Sequence, residues 1–189
     1  MIKKAEISDI DSIVKLHRTE LKTEFLPSLG KNFLIKLYQD LYLRKNCIIL
    51  VAKDHNNLKG FIVGSKKFSD DFYFVIKHNF LKYFLLLIPQ VLLHPKIFIK
   101  ILETFLYTKK QGLSPDAELV VIAVSKKYRR KGNGKKLVRE LEKILKKQKI
   151  NNYKVTVGAS NFFYKSLRFE ELRKFKFYDK VFHVYTKKL

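Results

Sequence analysis

Residues 117–147 constrain the fold more than any other part of the chain. They read AELVVIAVSKKYRRKGNGKKLVRELEKILKK: an apolar run, a basic turn holding two glycines, then apolar residues at helical spacing. The apolar run predicts a strand buried on both faces for most of its length. After the turn, Leu137, Val138, Leu141, Ile144 and Leu145 mark one face of a helix, and Lys136, Arg139, Lys143, Lys146 and Lys147 mark the other. A strand that passes through a glycine turn into a helix aims several backbone N–H groups, and the positive end of the helix dipole, at one point. That point suits a phosphate or pyrophosphate. Two nucleotide-binding turns fail on spacing. A P-loop ending at Gly134 and Lys135 needs glycine and Ser or Thr where Arg129 and Lys136 stand, and a dinucleotide fingerprint from Gly132 needs glycine where Leu137 stands.

The rest of the chain arranges itself around this unit. IKKAE predicts a first strand. Ser8 and Asp11 suggest a capping box before a helix striped by Ile10, Ile13, Val14 and Leu21, and Phe33, Leu34, Leu37, Tyr38 and Leu41 mark a second helix after Pro27. CIILVAKD and LKGFIVGSKK, joined at HNN, predict a β-hairpin. Residues 68–107 predict an inserted pair of amphipathic helices broken near Pro89 and Pro95. YKVTV, a short helix at NFFYKSLRF and a hairpin of ELRKFKF with KVFHVYTKK complete the order, so 1–189 is expected to be one α/β (α+β) domain with a mixed sheet covered by helices.

Charge limits the partners. Forty Lys and Arg against 17 Asp and Glu give a net charge of +23, and residues 126–149 hold 12 basic and two acidic residues. Such a field favours anionic partners. A compositional bias toward Lys, Asn, Ile, Phe and Tyr, with no Trp, is the competing explanation. A basic nucleic-acid binder is the alternative class, although the sequence carries no nucleic-acid fold signature. Residues 80–107 alternate apolar and basic positions, as peripheral membrane contact requires, while the run 83–93 falls short of the roughly 20 residues that span a bilayer. With no apolar core after its first lysines the chain is expected in the cytoplasm, free or at the membrane surface. Cys47 lies in an apolar strand and reads as a core thiol, His17 as a satisfied core histidine, and the five histidines form no metal spacing.

The turn carries Arg129, Gly132 and Gly134 in the pattern Arg/Gln-x-x-Gly-x-Gly/Ala, and ASNFFYKSLRF downstream carries Asn161, Phe163, Tyr164 and Phe169. Together these resemble the GNAT acyltransferase superfamily, with Arg168 where that family usually has glycine. The resemblance implies a mostly antiparallel sheet of six or seven strands. It also implies acetyl-CoA as acyl donor, an amine acceptor, no metal, and transfer by direct attack. The insertion resembles a subgroup with helices before the central strand, some members of which serve sugar or surface-polysaccharide pathways. An amino sugar or nucleotide-linked sugar is therefore the acceptor class implied, and a homodimer is compatible with it. By the same resemblance the backbone of Ile122, Ala123 and Val124 lies along the pantetheine arm, with an oxyanion donor near Val124. Arg129, Arg130, Lys131, Gly132, Asn133, Gly134 and Lys135 surround the pyrophosphate, Asn161 joins the coenzyme site, and Tyr164 protonates the leaving thiolate. Glu118, read on one strand face with Val120, Ile122 and Val124, is either the general base or a strand-end carboxylate in solvent. The acceptor would lie between residues 22–29 and 176–180.

Overall fold

The alternating strands assemble into one sheet in the computed structural model, which describes residues 1–55, 57–97, 99, 116–158, 162–177 and 180–189. Strands β1 (Ile2–Lys4), β2 (Cys47–Asp54), β3 (Asn57–Ser65), β4 (Ala117–Val124), β5 (Asn152–Val157), β6 (Glu170–Phe177) and β7 (Lys180–Lys188) lie in the order β1-β2-β3-β4-β5-β7-β6. Every neighbouring pair is antiparallel except β4 with β5. The helices are α1 (Ile10–Glu20), α2 (Phe25–Ser28), α3 (Lys31–Tyr42), α4 (Phe68–His78), α5 (Phe80–Leu93), α6 (Asn133–Lys147) and α7 (Phe162–Lys165).

The period-2 pattern of β2 decides which helix covers which face. Ile48 and Leu50 face Leu137, Val138, Leu141 and Leu145 of α6, while Ile49 and Val51 face Ile10, Ile13 and Val14 of α1 and Leu34 and Tyr38 of α3. Each of these side chains contributes about 1.5–3 kcal/mol when fully buried. The start of α1 differs from the sequence expectation. The reciprocal cap is formed by Glu6 and Asp9 around a short 3-10 turn, because the Asp9 carboxylate accepts the Glu6 N–H at 3.1 Å and also pairs with Lys53.

His17 sits inside the second core, 1 % exposed, with Nδ1 2.7 Å from the Tyr38 hydroxyl and its ring against Phe61. Burial lowers its pKa from 6.5 to about 4. The folded state therefore holds it neutral, and its contribution is complete above the unfolded pKa and lost as pH falls from about 6.5 toward 4. About 2.5 pKa units correspond to about 3 kcal/mol. Urea titrations at a series of pH values should show this slope, and His17→Phe should flatten it between about pH 6.5 and 5, above the range where carboxylates dominate.

The inserted helices pack on the outer side of α3. Phe33, Leu37 and Leu41 meet Val75 and Ile76 of α4 and Tyr83 of α5. At the junction of α4 with the sheet, the fully buried Asp71 carboxylate accepts hydrogen bonds from Arg44 Nε (2.9 Å), Ser65 Oγ (3.1 Å) and Cys47 Sγ (3.5 Å). Burial, with Asp71 adding to it, pushes the Cys47 thiol up to about 12, so this cysteine is a structural group. The break between the helices falls at Asn79, whose amide donates to Asp40 Oδ2 at 3.4 Å. Pro89, expected to end a helix, lies inside α5. Leu85, whose carbonyl the missing N–H would have met, and Pro89 are both exposed, so the lost bond falls on the solvent side of the helix. The end of the insertion beyond residue 99 lies outside the described residues.

Candidate active site

The central feature is an opening in the sheet. β4 pairs with β5 only through Ala117, Glu118 and Leu119, although β4 continues to Val124. A β-bulge causes the change. Opposite β3, Val63 pairs with Val121 and Gly64 with Leu119, leaving Val120 as the extra residue. The bulge also reverses the phase of the strand. Ala117 and Leu119 face the α6 core, Val120, Val121 and Ala123 face the α1 core, and Ile122 and Val124 face α6 again. Glu118 therefore does not share a face with Ile122 and Val124, contrary to the simple alternation. Burial along β4 is also less complete than its composition implies, since the side chains at 120–122 and 124 are only half-buried beside the opening.

The hydrogen-bond direction of β4 follows from its end. Ser125 N–H donates to the Lys59 carbonyl at 2.9 Å on the β3 side. By alternation along an antiparallel ladder, Ala123 also faces β3, and the N–H groups of Ile122 and Val124 turn toward the opening. The Val124 carbonyl on that side accepts Arg129 Nε at 3.0 Å.

The glycine turn closes the end of this opening. Lys126–Tyr128 form a single 3-10 turn, Arg130 takes φ +57° and Gly132 takes φ +77°, immediately before α6. The first helical bond runs from Lys136 N–H to the Gly132 carbonyl (3.0 Å), so the N–H groups of Asn133, Gly134 and Lys135 have no partner within the helix. Asn133 uses its side chain locally, donating to the Tyr128 carbonyl at 2.8 Å. The two glycines serve different needs. At Gly132 a side chain would meet open space but a left-handed backbone, whereas a Cβ at Gly134 would lie 3.2 Å from the Phe163 ring. Lys131 and Lys127 lie over the ring of Tyr128.

Two contacts that matter here are not visible from local sequence. Glu20, the last residue of α1, accepts Lys126 N–H at 2.9 Å and Arg129 Nη2 at 2.6 Å. It ties the glycine turn to α1, so the Arg129 guanidinium expected beside a pyrophosphate is engaged in holding the loop. Phe163 supports Gly134 from α7. Glu20 has no local signal, because it lies more than 100 residues from its partners, and Phe163, although part of the downstream motif, gives no sign in sequence of its contact with Gly134.

Tyr164 is 4 % exposed, packed edge-on to Phe163 and Phe169 and stacked on Tyr185. Burial raises its pKa, so the phenol stays protonated. The turn after α7 forms without the usual glycine. Arg168 adopts φ +65°, and Phe169 N–H closes the turn on the Tyr164 carbonyl at 3.1 Å. A non-glycine residue in this region carries about 1–2 kcal/mol of strain. Arg168→Gly should stabilise the fold by about 1 kcal/mol and raise the melting temperature by about 2–4 °C, as read by calorimetry. Glu118 lies at the closed end of the opening, with Lys154 Nζ 3.8 Å from its carboxylate. Burial raises its pKa and the lysine opposes the rise. Asn161 and residues 178–179 of the final hairpin lie outside the described residues.

Along the outer side of α1 and the start of α3 runs a surface cavity of about 650 Å³, lined by the cations Lys15, Arg18, Lys22 and Lys31 and the carboxylate Asp11. It includes Lys22 and Pro27 from the segment expected to face the acceptor. Among the described residues no group of His, Cys, Asp or Glu is arranged to hold a metal ion.

The family model described as Acetyltransferase (GNAT) family matches residues 16–169. The whole chain aligns with the structure of PaiA N-acetyltransferase from Thermoplasma acidophilum in complex with coenzyme A, at 17 % identity and TM-score 0.57 over 98 % of that chain. It aligns equally fully with the ribosomal-protein-S18-alanine N-acetyltransferase from Escherichia coli (14 %, 0.61, 92 % of that chain). An aminoglycoside 6'-acetyltransferase type Ii is a third (14 %, 0.62, 96 % of that chain). At these identities the likeness is one of fold. No curated protein matches the sequence.

Proposed function

Since the chain belongs to the GNAT acetyltransferase family, whose donor is acetyl-CoA, we propose that it acetylates the primary amine of a small molecule, an amino sugar or a nucleotide-linked sugar. The observation that carries the reading is the opening of β4 from β5, which ends at a left-handed glycine and the unpaired N–H groups of a helix start. In this reading the N–H groups of Asn133, Gly134 and Lys135 bind the pyrophosphate, with Arg130, Lys131 and Gly132 shaping the loop around it. Ile122 and Val124 donate N–H groups to the pantetheine arm and to the acyl oxygen as negative charge develops on it. Ala123 holds the strand to β3, and Asn161 completes the coenzyme site.

Attack joins the amine nitrogen to the acyl carbon and breaks the carbon–sulfur bond, so one proton must leave the nitrogen and one must reach the sulfur. Tyr164, kept protonated by burial, supplies the second. Glu118 accepts the first. Ile122 lies four positions further along β4, at most about 13 Å at 3.3 Å per residue and less across the bulge, so Glu118 acts through intervening water. Its raised pKa suits it to that task. The cationic cavity beside α1 favours an acceptor that carries phosphate.

Calorimetric titration with acetyl-CoA, followed by a thiol-release assay, tests the reading. The assay should compare hexosamine phosphates, nucleotide-linked amino sugars and a peptide with N-terminal alanine. The phosphorylated sugars are expected to turn over fastest. Glu118→Gln should lower kcat about 100-fold with little change in KM for acetyl-CoA and remove the acidic limb of the pH profile. A preference for the peptide would replace the acceptor assignment, and a folded parent that binds no coenzyme but binds duplex DNA would favour the nucleic-acid reading.

A further inference from the structure

We propose that the outward face of α5 docks this protein on the surface of an anionic lipid bilayer. α5 is apolar on two opposite sides. Tyr83 is buried and Leu87 packs into the cluster built on Phe33 and Leu37. On the other side Leu81 (67 % exposed), Leu85 (55 %), Ile88 (37 %) and Leu92 (77 %) follow the spacing i, i+4, i+7, i+11, with Phe84 (51 %) beside them. Lys82 is the one charged residue in the helix. A continuous stripe of large apolar side chains in water is the signature of a surface that meets a partner.

Charge selects the partner. Lys82 flanks the stripe on the helix, Lys77 and Lys96 precede and follow the helix in sequence, all three are exposed, and the chain as a whole carries +23. A second copy seated on the same face would bring Lys82 toward its counterpart and set two strongly positive chains together. An anionic bilayer is complementary in both respects, accepting the leucines among its acyl chains and the lysines among its headgroups. The helix lies on the bilayer and does not cross it. Fourteen residues rise about 21 Å against a hydrocarbon core of roughly 30 Å, and among the described residues no helix is long and apolar enough to cross a membrane. This inference rests on a surface separate from the coenzyme site and is independent of the acceptor.

Flotation of the full chain with vesicles of defined composition decides the matter. At least tenfold more protein should float with vesicles of phosphatidylcholine and phosphatidylglycerol, roughly one third of the latter, than with phosphatidylcholine alone. The double variant Leu85→Ser/Ile88→Ser keeps the charge unchanged and should lose at least tenfold of that binding. A thermal melt followed by circular dichroism, matching that of the parent, reports in parallel that the variant remains folded. Flotation unchanged in the variant, or no flotation of the parent, would overturn the proposal. So would a lipid-free dimer of the parent that dissociates in the variant, since a second copy would then cover the stripe.

Discussion

Gly134→Asp is expected to lower the affinity for acetyl-CoA about a thousandfold while leaving the protein folded. The position lies one residue inside α6, where the N–H groups of Asn133, Gly134 and Lys135 have no intrahelical partner. A carboxylate here occupies the place of the anion those groups would bind. One added negative charge about 4 Å from a phosphate costs about 4 kcal/mol at an effective dielectric near 20. The same carboxylate favours the helix itself, since an acidic side chain in the first turn complements the dipole. The Phe163 ring, 3.2 Å from the new Cβ, has only to move a few tenths of an ångström. Calorimetry should therefore show lost binding with an unchanged melting temperature. Gly134→Ala supplies the control, adding the contact with Phe163 without the charge. If Gly134→Asp binds coenzyme as the parent does, the helix start is not the pyrophosphate site.

Asp71→Ala is expected to destabilise the fold by about 3–5 kcal/mol, because it leaves several polar groups without their common acceptor. Arg44 is partly exposed and can return to water, but the Ser65 hydroxyl lies in a fully buried residue. Much of the loss therefore comes from stranded donors. For a chain of this size the melting temperature should fall by about 10 °C, and the urea midpoint with it. Asp71→Asn should recover part of the loss, since the amide oxygen still accepts from Ser65 while the charge opposite Arg44 is gone. A change below about 1 kcal/mol for the alanine variant would mean that α4 is held to the sheet by apolar packing alone.

The parts of this architecture that were legible in the sequence share a local signal. The helical spacing of Leu137, Val138, Leu141 and Leu145, the glycine pair and the hairpin of CIILVAKD with LKGFIVGSKK each reside within a few residues, and each forms as expected. The face assignment of Glu118 failed for a physical reason. In a strand apolar on both sides no polar residue marks the phase, so an extra residue at Val120 leaves no trace in the hydrophobic pattern. The Glu20 clasp was invisible because its partners, Lys126 and Arg129, are distant in sequence. Pro89 misled in the other direction, since it lies inside α5 on an exposed side of the helix, where the packing of the buried side holds the helix together. Arg168 shows that the backbone demand of a turn can be met by a residue that does not advertise it, at the cost of strain.

The bulge at Val120 makes β4 a segment whose length matters more than its composition. Most apolar substitutions along it exchange one half-buried side chain for another. Removing Val120 would instead restore the regular ladder with β3, leaving Ile122 and Val124 on the α6 face and Ala123 on the α1 face but taking away the local bend of the strand. Without that bend the outer half of β4 is expected to run closer to β5 and narrow the opening. Residue kind along β4 is therefore less constrained than residue number, because a substitution leaves the bend in place and a deletion removes it.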